Sequence, residues 1–406
     1  MLNNEYADVA PMAPRFAAGT TASLLDAARH VARIAETHAA DVDNRARFPR
    51  EAVDAMKEAK LLSACVPREL GGSGCSISTL AAICSEVAAG CGSSGLILAM
   101  HYSQAACFVR HGNEAAYFQR YLRDLADKQL LIASITSEVG TYGDTRSSIC
   151  ALEPVGHERF RLNKEATTGS YCDHADAIAV TCRRDSAAAP NDQVLVLLHK
   201  RDYELKATSD WDTLGMRGTC SPGFSLRAHA RTEQVLPAPF ADCSALTMVP
   251  FSHVLWAAVW YGIAQAAAAK AGRSVRAAAR RKIGSVPPGA DRLATLTAQL
   301  QTMRASVFAV ADEFDRIDQA AEDRAALTSI EWSVKLNNLK VSISTAAPLA
   351  VHQALQITGV SGYRNDSPLS VGRHYRDVLS GSLMISNDRI IDQTASMLLI
   401  LKNDSI

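Results

Sequence analysis

Trp211-Asp212-Thr213-Leu214-Gly215-Met216-Arg217-Gly218-Thr219 is the stretch that organises the chain. A run that alternates like a strand, Val194 to Leu198, precedes it, and another, Ser225 to His229, follows. Two glycines three residues apart with an arginine between them suit a tight connection, where the backbone needs positive φ or close approach to a neighbour. On its own the segment reads as strand, sharp loop, strand.

The same period holds upstream. Leu131 to Ile135, Arg159 to Leu162 and Ala177 to Thr181 are short apolar or alternating runs separated by turn residues, so a mostly antiparallel β-domain is expected over 131–242. Before it the pattern is helical. Leu24, Leu25, Ala28, Val31, Ala32 and Ile34 recur at helical spacing, with Thr21 or Ser23 able to cap the start. Phe48-Pro49-Arg50-Glu51 opens a second helix, Pro67 to Gly74 is strong punctuation, and helical runs resume over 78–89, 94–110 and 113–126. From Phe251 the helical period returns, giving long helices over 254–281, 291–316, 329–358 and 376–403. The expected fold is α+β: an N-terminal helical domain (1–130), the β-domain (131–242) and a C-terminal four-helix bundle (243–406).

Composition excludes several classes. Lys+Arg and Asp+Glu both total 42 in 406 residues, so no face is set up for nucleic acid. The ten cysteines form no CxxC pair and no metal-like grouping with histidine. They read as reduced thiols in a reducing compartment, and with no signal pattern in residues 1–18 a cytoplasmic location is expected. The most apolar run, Val254 to Ala269, falls short of the ~20 residues a membrane span needs and reads as a core helix.

Six motifs in order give the chain a resemblance to the acyl-CoA dehydrogenase family from about residue 24 to 400. Arg47–Gly74 (RFPREAVDAMKEAKLLSACVPRELGGSG) resembles the family's helix and Val-Pro…Gly-Gly turn. Ile135–Asp144 (ITSEVGTYGD) resembles its flavin loop, and Leu162–Asp176 the stretch that follows. Arg280–Gly284 (RRKIG), Gln356–Tyr363 (QITGVSGY) and Tyr375–Val378 (YRDV) complete the series. The resemblance implies an FAD-dependent oxidoreductase assembled as a homotetramer, with the flavin between the β-domain and the C-terminal bundle. It implies that Thr136, Ser137 and Gly143 cradle the flavin, that Thr168 stands where an aromatic residue usually stacks, and that Ser170 donates to the reactive ring nitrogen. Arg280 would meet the pyrophosphate of a neighbouring subunit's FAD, Gln356 and Gly359 would meet the adenosine half, and Asn387 is a further cofactor contact.

The base is where the chain departs from the family. Relatives carry a glutamate eight residues after the Arg-Asp pair; counted from Asp377, that position is Ile385. A minority carry it early in the first long C-terminal helix, here about Ser252, beside His253. Neither residue can move a proton as a carboxylate does. Three readings follow. The first is dehydrogenation of an acyl-thioester, on CoA or a carrier protein, with a relocated base; Asp388 is the nearest carboxylate and Glu138 a structural-looking alternative. The second is a reduced-flavin-dependent monooxygenase served by a flavin reductase, with His101 as a candidate group. The third is a non-catalytic or partner-dependent subunit.

Overall fold

The computed structural model describes residues 20–112, 114–281, 283–320 and 324–401; the region scanned for a signal lies outside them, as do Asn113 and the end of the expected last helix. The N-terminal domain packs five helices: α1 (Thr21–Arg45), α2 (Arg50–Glu58), α3 (Ile77–Gly90), α4 (Gly92–His111) and α5 (Ala116–Lys128). The α1 cap is Thr20, one residue ahead of the expected Thr21: its hydroxyl accepts from the Ser23 amide at 3.2 Å. Helix α2 ends at Glu58, and Leu61 and Leu62 are buried in the turn that follows. Helix α4 is buried along nearly its whole length, which is why its sequence is almost free of charge.

The middle domain has seven strands in two sheets, not the five legible in the sequence. One sheet has the order β1 (Ile132–Ile135), β4 (Ala177–Arg183), β5 (Gln193–His199), and its β1–β4 pair is parallel with Ile132 opposite Ala177. The other is antiparallel in the order β2 (Glu153–Val155), β3 (Arg159–Ala166), β7 (Phe224–Arg231), β6 (Tyr203–Ala207). Strand β3 alternates exposed and buried along its eight residues, as a one-face-buried strand must. Strands β4 and β5 are buried on both faces except at their last residues and read as continuous apolar runs.

The C-terminal region begins with a short helix, α6 (Phe240–Cys243), and a π-helical turn (Ser244–Met248) that runs directly into α7 (Val249–Arg281). Helices α8 (Ala290–Gln319) and α9 (Ile330–Thr358) pack on α7, which also packs on α3 and α4 and so joins the two helical regions. A single-turn α10 (Val360–Tyr363) follows. The helix expected over 376–403 is broken: α11 (Gly372–Leu379) ends in a 3-10 turn, and α12 (Asn387–Leu398) starts afresh. The break falls at Ile385, whose φ of +52° is left-handed, a costly conformation for a β-branched residue. One helical stretch, 240–281, is long and apolar enough by composition to cross a membrane; two thirds of its apolar window is buried inside the protein, as in a core helix.

Candidate active site

The loop 211–219 is the junction of all three regions. Arg217 Nε donates to the carbonyl of Asp43 on α1 at 2.7 Å, and the Gly218 amide donates to Ser93 Oγ on α4 at 3.2 Å. The Met216 amide donates to Asp377 Oδ1 on α11 at 2.7 Å. Arg376 makes a forked pair with the Asp43 carboxylate and donates to the Leu214 carbonyl at 2.8 Å. Gly215 lies against α11 so closely that a Cβ there would sit 2.2 Å from the Arg376 carbonyl oxygen. Burial pushes the Asp377 carboxyl up to about 6, with Arg373 and the Met216 amide opposing the shift.

Between this junction, the β-domain and α4 and α7 lies a cleft of about 610 Å³. The β-domain contributes Ser134, Thr136, Ser137, Thr168 and Ser170, and the junction loop contributes Trp211, Met216, Thr219 and Ser221. Leu96, Met100, Ser103 and Gln104 come from α4, and Val249, Ser252 and Trp256 from α7. Leu379, Ser380, Leu383, Met384 and Ile385 close it from the broken helix.

Four of the residues assigned to the cofactor meet here. Ser137 Oγ donates to the Thr168 carbonyl at 2.8 Å and receives the Thr168 amide at 3.1 Å, which ties the ends of β1 and β3 together. Ser170 Oγ accepts from Ser221 Oγ at 2.9 Å, and Ser221 in turn contacts Thr219 Oγ1 at 2.9 Å. Ser170 therefore keeps its own hydroxyl hydrogen for whatever occupies the cleft. These are uncharged donors and acceptors on a wall otherwise apolar, a set that fits a flavin ring. Two further polar atoms are buried without a partner, Gln104 Oε1 and Trp256 Nε1.

The remaining candidates lie elsewhere. Gly143 has φ +79° and packs under the Arg389 guanidinium, outside the cleft lining. Asn387 is turned into the bundle, where its Oδ1 accepts from Lys340 Nζ at 2.7 Å and Ser344 Oγ at 3.2 Å. Gln356 Oε1 accepts from Arg292 Nη1 at 2.7 Å, and Gly359 ends α9 with φ +58°. Arg280 is exposed near the end of α7; twenty-four residues separate it from Trp256, roughly 36 Å along the helix. It cannot serve this cleft in its own chain.

Both positions where a glutamate was sought, Ile385 and Ser252, do line the cleft. Among the described residues no carboxylate and no imidazole lines it, and the one charged residue that does, Arg376, is committed to Asp43. Asp388 is exposed in the first turn of α12 and is not part of the lining. Glu138 is consumed structurally, accepting from Ser148 Oγ at 2.8 Å and the amides of Ile149 and Cys150 at 3.1 and 2.6 Å. Burial works to raise its carboxyl, but Lys164 and these donors outweigh it and hold it below the usual range. His101 is also withdrawn from the cleft: its Nε2 donates to the Leu62 carbonyl at 2.7 Å and its Nδ1 accepts the Ile132 amide at 3.0 Å. Burial holds it neutral, with its pKa lowered to about 4. What the sequence reading missed is the helical wall, Gln104 above all. The available signal was a polar stretch, His101 to Gln104, inside a buried helix with no Asp, Glu, Lys or Arg before Arg110. Among the described residues no group of three or more His, Cys, Asp or Glu is placed to hold a metal ion.

Comparisons with known proteins agree with this arrangement. Residues 21–129 match the acyl-CoA dehydrogenase N-terminal domain, and residues 244–384 match the acyl-CoA dehydrogenase C-terminal domain. The chain is 26% identical over 379 residues to the amino sugar nitrososynthase DnmZ of Streptomyces peucetius, covering 89% of this chain and 88% of that one. It is 24% identical over 344 residues to glutaryl-CoA dehydrogenase of Desulfococcus multivorans, covering 82% and 84%. Among solved structures, FMN-bound TdsC from Paenibacillus sp. A11-2, a dibenzothiophene monooxygenase, superposes with a TM-score of 0.79 at 19% identity, covering 93% of this chain and 97% of that one.

Proposed function

Because this chain belongs to the acyl-CoA dehydrogenase superfamily of flavoproteins, and no carboxylate or imidazole among the described residues lines its cleft, we propose that it is a reduced-flavin-dependent monooxygenase of that fold. The observation that carries the reading is the lining at Ile385 and Ser252: both base positions face the cleft and neither bears a carboxylate. Dehydrogenation of a thioester removes an α-proton in step with hydride loss, and without a base it forfeits ~10²- to 10⁴-fold. Oxygen insertion makes no such demand. The dibenzothiophene monooxygenase among the similar folds supports the same side.

The residues present fit a flavin ring. Ser170, oriented by Ser221, would donate to a ring nitrogen, and Thr136, Ser137 and Thr168 would hold the ring edge. The bound flavin, once reduced, supplies two electrons for oxygen activation; one oxygen atom enters the substrate and the other leaves as water. The apolar wall of Leu96, Met100 and Met248 limits the access of bulk water to the reacting atoms.

FAD held across a homotetramer is the arrangement the family resemblance implies, and exposed Arg280 is compatible with it. Gln356, however, has its amide engaged by Arg292, and Asn387 is engaged by Lys340. One residue meant for the adenosine half and one further cofactor contact are thus engaged within the chain, which favours FMN, a cofactor that a single cleft can hold. The electron source is then a separate flavin reductase.

The test is spectroscopic. The purified protein with either flavin should show no anaerobic bleaching with acyl-thioesters, and oxygen consumption coupled to substrate only when a reductase supplies reduced flavin. Anaerobic bleaching by any acyl-CoA or carrier-protein thioester would overturn the reading.

A further inference from the structure

The broken helix that closes the cleft is held from behind by one buried side chain. We propose that Lys340 is a positioning residue for this site: from outside the lining, its amine clamps the carbonyl of Ile385, fixes the break between α11 and α12, and so sets the wall that the break presents to the cleft. The consequence for binding rests on the reading of the cleft as the flavin site; the clamp itself does not.

Ile385 lines the cleft in a conformation that it does not favour. Its φ of +52° is left-handed, which crowds any Cβ and a β-branched side chain most of all. Such a residue persists only where its surroundings hold it. Regular helix bonding does not supply the hold, because among the described residues no backbone amide reaches the Ile385 carbonyl. Its partner is Lys340 Nζ on α9, at 2.6 Å. That bond fixes the plane of the peptide after Ile385. The same amine donates to Asn387 Oδ1 at 2.7 Å, and Asn387 Nδ2 donates to Ser344 Oγ at 3.1 Å, so the first residue of α12 is anchored to α9 as well. The turn that opens the break rests on the same helices: a Cβ at Gly381 would lie 3.0 Å from Ser344 Cβ and 3.1 Å from the Trp260 ring.

The amine has no other evident task. Lys340 is fully buried, and it lines no part of the cleft. Burial lowers its pKa to about 8 with no carboxylate opposing the shift, so at neutral pH it carries a charge whose further company is the Trp260 ring, 5.8 Å away. An apolar side chain would fill the space without the cost of burying that charge. What the lysine adds is its donors, and both acceptors belong to the break.

Hydrogen exchange on the purified chain reads the clamp, and an FMN titration followed by fluorescence reads its consequence. Lys340→Met keeps most of the side chain and removes the donors. It should speed exchange of the amides over 383–390 about 10- to 100-fold, the worth of a bond from a charged donor, while the rest of α9 exchanges as before. FMN should bind about three-fold more weakly or worse, as a loosened wall requires. Lys340→Gln, too short to reach both acceptors, carries the same expectations should the first variant misfold. In the Lys340→Met background, Ile385→Gly should exchange about three- to ten-fold more slowly over 383–390 than Ile385→Ala. Both delete the side chain, and only glycine is at ease at positive φ. Exchange over 383–390 that is unchanged, or that rises equally along α9, would overturn the clamp, and so would equal exchange in the Gly and Ala variants. A loosened break with unaltered FMN affinity would overturn the positioning role. A wild-type chain that binds no FMN would sink the flavin reading instead, and the exchange comparison would then decide the clamp alone.

Discussion

Gly215→Ala should loosen the junction on which the cleft depends. A Cβ at this position would lie 2.2 Å from the Arg376 carbonyl oxygen, 2.4 Å from its carbon and 2.7 Å from the Asp377 nitrogen. These are backbone atoms of α11, so no side chain can swing aside. Ordinary carbon contacts begin near 3.5 Å, so loop and helix must separate by about an ångström. Such overpacking costs ~1–3 kcal/mol. The same movement stretches the 2.7 Å bond from the Met216 amide to buried Asp377 and the 2.8 Å bond from Arg376 to Leu214. A buried acceptor left unmatched adds ~1–3 kcal/mol. The total of about 2–6 kcal/mol corresponds to a fall in unfolding temperature of roughly 2–7 °C for a chain of this length. Scanning calorimetry and the flavin retained after gel filtration give the two readouts. Gly156→Ala is the control: its φ is +66° but nothing lies within 4 Å of the added carbon, so only backbone strain of ~1 kcal/mol is expected. If Gly215→Ala unfolds no earlier than that control and keeps its flavin, the loop is not the keystone described here.

Other expected outcomes are simpler. Ser170→Ala should leave reduced flavin bound but alter the rate at which it reacts with oxygen, since a donor to the ring matters most as charge changes there; unchanged rapid-mixing reoxidation kinetics would mean that Ser170 is misassigned. Ile385→Glu should lower substrate-dependent oxygen uptake by placing a charge on an uncharged wall, while Asp388→Asn, outside the cleft, should leave uptake unaltered; the opposite pattern would revive a proton-abstracting mechanism. Stability should also fall steeply with acid. Burial holds His101 and His253 near a pKa of about 4, so the unfolded chain binds more protons between that value and the ordinary 6.5. The stability these neutral rings contribute is complete above pH 6.5 and is lost as pH falls toward 4, by up to ~3 kcal/mol each. A denaturation midpoint that stays flat from pH 7 to 4.5 would contradict this.

Much of the architecture was already legible in the chain. Periodicity alone separates the helical, β and helical regions, because burial of one face repeats every 3.6 residues in α1 and every two in β3. Motif order added the flavin loop and the stretch after it, and Thr136, Ser137, Thr168 and Ser170 from these two segments meet in one cleft. Counting from Asp377 also pointed to Ile385, which lines the cleft, since a position is a property of spacing. Spacing says nothing of direction. Only the tertiary structure shows His101 locked between two backbone groups, and Asn387 and Gln356 engaged by their own chain. Strand β6 and the break at Ile385 were equally hidden: the first is short with little burial, and the second is imposed by packing that holds a β-branched residue at positive φ. The uncharged character of the cleft belongs to the same class of fact. It is a property of which side chains meet across distances of more than a hundred residues, and the fold decides that.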